Sequence, residues 1–185
     1  MNLSLPQTYL IGLSALLAII AILVGRQVLR VRRDEIELVK LEKSGNQNST
    51  DSAKLYELAS VQLRKRLYPQ AIFSLKKSLK VLEGEPDEAK AIIENALGFA
   101  LAAQDNFKEA IIHYQRAIKV KSDYPVALNN LAFAKQKLLE EDEALVLYQS
   151  VLNIDPKNKT AKKQLEKIRK RKENSSSNIV YKKGF

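Results

Sequence analysis

The sequence predicts an all-α protein with a single N-terminal transmembrane helix, three stacked helix pairs and a C-terminal capping helix. Three observations support this prediction. A stretch without charged residues lies near the N-terminus, the phrase NALGFA nearly recurs as NNLAFA 34 positions later, and a basic segment with helically spaced apolar residues follows. A fixed period of roughly 20 to 50 residues is typical of proteins built from stacked repeats.

The composition excludes most kinds of catalytic site. No cysteine is present and His113 is the only histidine, which excludes disulfides, thiolate or histidine-pair metal sites and a cysteine nucleophile. The six glycines are too scattered to form a phosphate-binding loop. We therefore expect no enzyme activity, no cofactor and no metal site. His113 is expected to be an ordinary residue on a helix surface.

Residues 1–33 are predicted to form a membrane anchor and its basic flank. Residues 5–25 are 21 uncharged residues, which as a helix reach about 31 Å and cover the hydrocarbon core of a bilayer. The alternatives are a cleaved signal peptide, which would carry its positive charge before the apolar stretch, and a buried core helix. Four arginines follow the stretch instead, and the positive-inside rule predicts that the rest of the chain lies on the cytoplasmic or equivalent face. These arginines are Arg26, Arg30, Arg32 and Arg33.

Small residues form a stripe along one face of the predicted anchor, at Ser14, Ala18, Ala21 and Gly25. Such a stripe allows close approach of a second transmembrane helix, although small residues are also simply common in membrane helices. Residues 34–51 are predicted to continue as a juxtamembrane helix and then a flexible polar linker. Asp51 is the expected N-cap of the next helix.

The repeat is longer than the recurring phrase. Residues 94–120 align with residues 128–154, and each copy has two apolar helical stripes separated by a polar turn. Neither helix of a copy can bury its stripe alone, so neighbouring copies are expected to stack. The matched pairs are Asn95 and Asn129, Leu97 and Leu131, Phe99 and Phe133, Ala110 and Ala144, and Tyr114 and Tyr148.

These units resemble the tetratricopeptide repeat, a 34-residue helix-turn-helix that forms a right-handed α-solenoid. The second unit carries the pattern in Leu97, Gly98, Phe107, Ala110, Tyr114 and Ala117. The third carries it in Leu131, Ala132, Ala144, Tyr148 and Pro156, with Glu141 in place of the turn aromatic. A weaker first unit matches at Leu58, Ala59, Tyr68 and Ala71, and the segment EGEPDEAK is expected to lengthen its junction. The predicted repeats are 52–90, 91–124 and 125–158.

A basic capping helix is predicted at 159–173, and a disordered tail at 174–185. Ala161, Leu165 and Ile168 share one face of the cap, as the outer helix of a repeat array requires. Its basic patch is read as a solvated face, with anionic lipid or an acidic partner as alternatives. Nucleic acid is not expected, because no aromatic platform accompanies the charge. The patch consists of Arg169, Lys170, Arg171 and Lys172.

The tetratricopeptide resemblance implies a concave groove that binds a protein segment and is lined by the first helix of each unit. The asparagines would fix a peptide backbone and the phenylalanines would anchor apolar side chains. Alternatively, the phenylalanines belong to the core and the asparagines are solvated or cap a neighbour. The family's chaperone-type carboxylate clamp is not expected, because its Lys, Asn and Arg are absent at the positions compared. The implied groove residues are Tyr56, Ser60, Leu63, Asn95, Phe99, Ala102, Asn129, Phe133, Gln136, Lys163 and Lys167.

The whole chain is similar to the membrane-anchored cyanobacterial and plastid family called hypothetical chloroplast reading frame thirty-seven. The resemblance implies a non-catalytic scaffold in photosystem I assembly or stabilisation, whose partners are photosystem I subunits or assembly factors. It also implies a thylakoid or other energy-transducing membrane, with the repeats on the stromal or cytoplasmic side. The alternative is a receptor for peptide signals in import, secretion or other membrane-complex biogenesis.

Overall fold

A computed structural model of the chain describes residues 5–43, 49–82 and 87–182, without the side chains of 5–6 and 175–182. Within these ranges the protein consists of helices. They divide into two compact units, Met1–Asn46 and Gln47–Phe185. The helices are α1 (Leu5–Lys43), α2 (Ser52–Arg64), α3 (Tyr68–Lys80), α4 (Asp87–Ala102), α5 (Phe107–Val120), α6 (Pro125–Lys137), α7 (Glu141–Ile154) and α8 (Lys159–Lys182).

The first unit is the single helix α1, whose 39 residues span about 58 Å. Of the helices in the described ranges, it is the one that is long and apolar enough to cross a membrane. The Ser14 hydroxyl donates to the Leu10 carbonyl at 2.7 Å, so this polar group needs no partner in lipid. Gly25 has no neighbouring atoms where a side chain would be. Packing of the small-residue stripe against a second helix stays a prediction.

The second unit contains three helix pairs, α2–α3, α4–α5 and α6–α7, followed by α8. This order confirms the predicted all-α array of repeats. Small residues allow the two helices of each pair to cross closely. Ala71, Ala110 and Ala144 are completely buried. A side chain at Gly98 would place its Cβ 2.7 Å from Tyr114 Cε1, so a glycine is required where α4 meets α5.

Each turn inside a pair contains one residue in the left-handed conformation. These are Arg66, Asp105 and Leu139, with φ of 60°, 60° and 65°. They occupy the same place in successive repeats, so the backbone of the turn recurs even though its side chains do not. The N-cap predicted for α2 is confirmed, because Asp51 accepts a hydrogen bond from the Ala53 backbone N–H at 2.9 Å.

Two predicted boundaries differ from the structure. The junction placed between 90 and 91 falls inside α4, which begins at Asp87 and has 16 residues. Asp87 and Glu88 form its acidic first turn, which favours a helix N-terminus there. The tail assigned to disorder is helical as far as Lys182, because no glycine or proline interrupts 159–182. Residues 183–185 lie outside the described ranges.

His113 is not on the surface, so that prediction was wrong. Its side chain is buried on the stripe of α5 that faces α4. Its Nδ1 lies 2.6 Å from Oε2 of Glu94, which is also buried. A polar ring is accommodated in this core because a carboxylate from the neighbouring helix satisfies it.

Candidate protein-binding groove

Two phenylalanines are exposed at the same position of successive first helices. Phe99 on α4 is 46% exposed and Phe133 on α6 is 42% exposed, which excludes the alternative that both belong to the core. The Phe107 ring, at the start of α5, meets Phe133 edge to face with ring centroids 6.3 Å apart. Lys137 Nζ lies 5.4 Å from the centre of the Phe133 ring. Phe107, Phe133 and Lys137 form an aromatic cluster, which offers apolar surface next to a positive charge.

The recurring asparagines have a different role. Asn95 Oδ1 accepts a hydrogen bond from Asn130 Nδ2 at 3.0 Å, and its Nδ2 donates to the Tyr124 hydroxyl at 3.5 Å. One repeat later, Asn129 Nδ2 donates to Asn158 Oδ1 at 3.3 Å. Each amide thus reaches the residue 29 positions further along, which for Asn95 precedes α6 of the next repeat and for Asn129 precedes the capping helix α8. These bonds tie neighbouring repeats together, and the peptide-binding ladder stays a prediction.

The remaining predicted groove residues are half-buried on the repeats and exposed on α8. Ser60 donates its hydroxyl to the Tyr56 carbonyl at 2.8 Å. Gln136 Oε1 accepts from the Tyr148 hydroxyl at 3.3 Å, and burial raises the pKa of Tyr148 to about 12, so this phenol remains a donor. Tyr56, Leu63 and Ala102 pack against the core, while Lys163 and Lys167 are exposed.

Phe107 and Lys137 belong to the aromatic cluster, although they are not among the groove residues predicted from the sequence. Lys137 follows Phe133 by four residues on one helix, a spacing at which side chains are neighbours. That spacing could have identified the lysine. Phe107 lies on a different helix, and its contact with Phe133 depends on how two repeats stack.

The predicted basic patch on α8 is largely paired inside the chain. Lys170 Nζ lies 2.6 Å from Glu166, and Arg171 lies 3.1 Å from Glu141 of α7. Lys172 forms an ion pair with Asp142, also on α7. The contacts of Arg171 and Lys172 fasten the capping helix to the last repeat, and the Lys170 contact lies within α8. Much of the patch's charge is therefore compensated locally.

The comparisons with known proteins agree with this architecture. The family model described as tetratricopeptide repeat matches residues 51–123. Over 154 residues the chain is 34% identical to the ycf37 protein of Cyanophora paradoxa, covering 82% of this chain and 87% of that protein. The chain belongs to the ycf37 family. The ycf37 protein of Guillardia theta is 28% identical over 165 residues, covering 89% of this chain and 93% of that protein.

A chloroplast relative is longer. The chain is 31% identical over 170 residues to the tetratricopeptide repeat domain-containing protein PYG7 of Arabidopsis thaliana. The match covers 92% of this chain but spans only 56% of that relative's length. A solved structure, the first repeat domain of Spaghetti (RPAP3) bound to an HSP90 peptide, superposes with a TM-score of 0.60 at 22% identity. The superposition covers 66% of this chain and 94% of that domain.

The fold and the family together define a tetratricopeptide scaffold for protein interaction. The structure gives it an exposed aromatic cluster on the first helices and exposed lysines toward α8. Such a surface can anchor apolar side chains and attract carboxylates.

Proposed function

We propose that the protein is a membrane-anchored scaffold that holds a photosystem I subunit or assembly intermediate in its groove. The resemblance of the whole chain to its family motivates the choice of photosystem I. Helix α1 is the proposed anchor, and the four arginines after its apolar stretch favour the repeats on the stromal or cytoplasmic side of the thylakoid. The client is bound and released without chemical change.

The exposure of Phe99 and Phe133 carries this proposal. Large apolar side chains cost free energy when left in water, so two of them at one repeated position need a reason other than packing. Lys137 stands over the second ring, and Lys163 and Lys167 on α8 extend the positive charge. The preferred client segment therefore combines apolar or aromatic anchors with acidic residues.

The test is quantitative mass spectrometry of proteins that co-purify with a C-terminally tagged full chain from gently solubilised thylakoid membranes. The decisive variant is Phe99→Ala with Phe133→Ala, and Leu139→Ala serves as a matched control because Leu139 is an exposed apolar residue in a turn. We expect photosystem I subunits to be enriched with the parent and the control, and to be lost with the double variant. Alanine is expected to leave folding intact at these exposed positions.

Two outcomes would contradict the proposal. Recovery of photosystem I subunits by the double variant would show that the two groove phenylalanines do not bind them. A broad set of unrelated precursor proteins, without photosystem I, would favour the peptide-signal receptor instead.

A further inference from the structure

The second helices of the three repeats carry an exposed apolar residue at one shared position. These residues are Phe73 on α3, Ile112 on α5 and Val146 on α7, and they are 66%, 47% and 67% exposed. They are 39 and 34 positions apart, the same shifts that relate Ala71, Ala110 and Ala144. We call these three side chains the outer ridge.

The outer ridge points away from the packed interior. Ile112 lies two residues from Ala110 and two from Tyr114, and both of these are buried against α4. Single exposed apolar residues are normal on protein surfaces. Recurrence on three helices at a position that takes no part in the core needs another cause, and contact with a partner is the usual one.

Charge divides the outer ridge into two parts. Lys80 on α3 and Lys108, Arg116 and Lys119 on α5 are exposed around Phe73 and Ile112. Within the described part of the chain, none of these four cations forms an ion pair. Around Val146 the exposed charges are instead Asp142 and Glu143, which pair with Lys172 and Lys135. These four cations give the α3–α5 part unpaired positive charge, in contrast to the paired cations of α8.

A cleft lies between α3 and α5 in this basic part of the outer ridge. It has a volume of about 370 Å³, with Leu79, Leu97 and Ile112 in its lining and Lys76 and Arg116 beside them. Lys76 lies 3.5 Å from Glu109, across the same cleft. An apolar side chain can enter this cleft, and Arg116 beside it can meet a carboxylate of the same segment.

We propose that the α3–α5 part of the outer ridge docks an acidic amphipathic segment of a partner protein. Its apolar residues lie against Phe73 and Ile112, and its carboxylates pair with the cations of α3 and α5. A flat anionic membrane fits less well, because a bilayer surface would not reach the apolar lining of the cleft between α3 and α5. This surface lies on the second helices and is separate from the groove, so its occupant is an additional partner.

The test uses the full chain in nanodiscs of neutral lipid and fluorescence anisotropy of a labelled peptide. The probe is a synthetic amphipathic helix with leucines on one face and glutamates elsewhere, and its matched peptide has lysines in place of the glutamates. We expect the glutamate peptide to bind and the lysine peptide not to bind. Phe73→Ser with Ile112→Ser should weaken binding about tenfold, since two apolar contacts are lost.

The repeat supplies the matched controls. Val146→Ser changes an equally exposed ridge residue with acidic neighbours, and it should leave the affinity within about twofold. Arg116→Glu with Lys119→Glu should weaken binding about tenfold or more and reduce its salt dependence. Phe99→Ala with Phe133→Ala should leave peptide binding unchanged, which separates this proposal from the groove.

Other results would overturn the proposal. Equal binding of both peptides would show that charge does not select the occupant, and loss of binding only in the groove variant would place the peptide there. If the Phe73 and Ile112 variant instead abolishes self-association measured without peptide, the occupant is a second copy. If it abolishes binding to anionic vesicles while peptide binding persists, the occupant is lipid.

Discussion

Glu94 and His113 form a buried polar pair at positions where the next repeat has two apolar residues. Leu128 follows Glu94 by 34 positions, and Leu147 follows His113 by 34. The repeat therefore indicates which pair of side chains can replace the polar one without disturbing the backbone. We expect Glu94→Leu with His113→Leu to keep or raise stability, and each single substitution to lower it.

The expected magnitudes follow from burial. Glu94 is 4% exposed and His113 is 7% exposed. His113→Leu leaves a buried carboxylate without its partner at 2.6 Å, which costs about 3 to 5 kcal/mol. Glu94→Leu leaves a neutral ring nitrogen unsatisfied and costs about 1 to 3 kcal/mol. Replacing both partners by packed leucines is neutral or stabilises by up to about 4 kcal/mol.

The assay is thermal and urea unfolding of the full chain in detergent, followed by circular dichroism. At roughly 3 to 5 °C per kcal/mol, His113→Leu should lower Tm by about 10 to 20 °C, and the double variant should melt at or above the parent. The coupling free energy of the pair should then exceed about 3 kcal/mol. A double variant as unstable as the two singles combined would refute the reasoning, because it would show that leucines do not fit repeat 2.

Three further predictions address packing, backbone and topology. Gly98→Ala should destabilise the protein by about 1 to 3 kcal/mol, because the added Cβ would overlap the Tyr114 ring. Urea unfolding measures this, with Ala132→Gly at the same place in repeat 3 as the comparison. An unchanged unfolding midpoint of Gly98→Ala would contradict the prediction. Leu139→Gly should raise stability by about 0.5 to 1 kcal/mol, because it relieves a left-handed leucine at φ 65°; Leu139→Ala, which keeps that conformation, should bring no gain. Protease added to the stromal face of intact thylakoids should remove a C-terminal tag, and protection of the tag would reverse the orientation.

The fold was predictable because the sequence repeats the pattern of one helix pair at a fixed period. Recurrence every 34 residues identifies the repeat, and Gly98, Ala110 and Tyr114 identify the helix crossing. The start of α4 and the end of α8 were less predictable. Helix boundaries depend on small differences in free energy, and no glycine or proline lies within 159–182 to end α8 earlier.

Contacts that are not periodic could not be predicted in the same way. The burial of His113 depends on Glu94 being opposite on another helix, and this pair occurs in repeat 2 alone among the three repeats. The cluster of Phe107, Phe133 and Lys137 depends on how α5 and α6 stack. Both arrangements are set by distances between helices that a single sequence does not specify.

The phrase that repeats as NALGFA and NNLAFA contains two kinds of recurrence with different physical causes. Asn95 bonds to the start of the next repeat and Asn129 to the start of the capping helix, so replacing them would change stacking and any binding at once. Phe99 and Phe133 recur while exposed, so burial does not explain them, and Phe99→Ala tests binding without removing the contact that Phe133 makes with Phe107 of the preceding repeat. The same reasoning separates Ala110, buried where helices cross, from Ile112 two residues later, which is exposed with its counterparts in the other repeats. In a repeat protein, recurrence identifies a residue as required, and burial then distinguishes whether the array or a partner requires it.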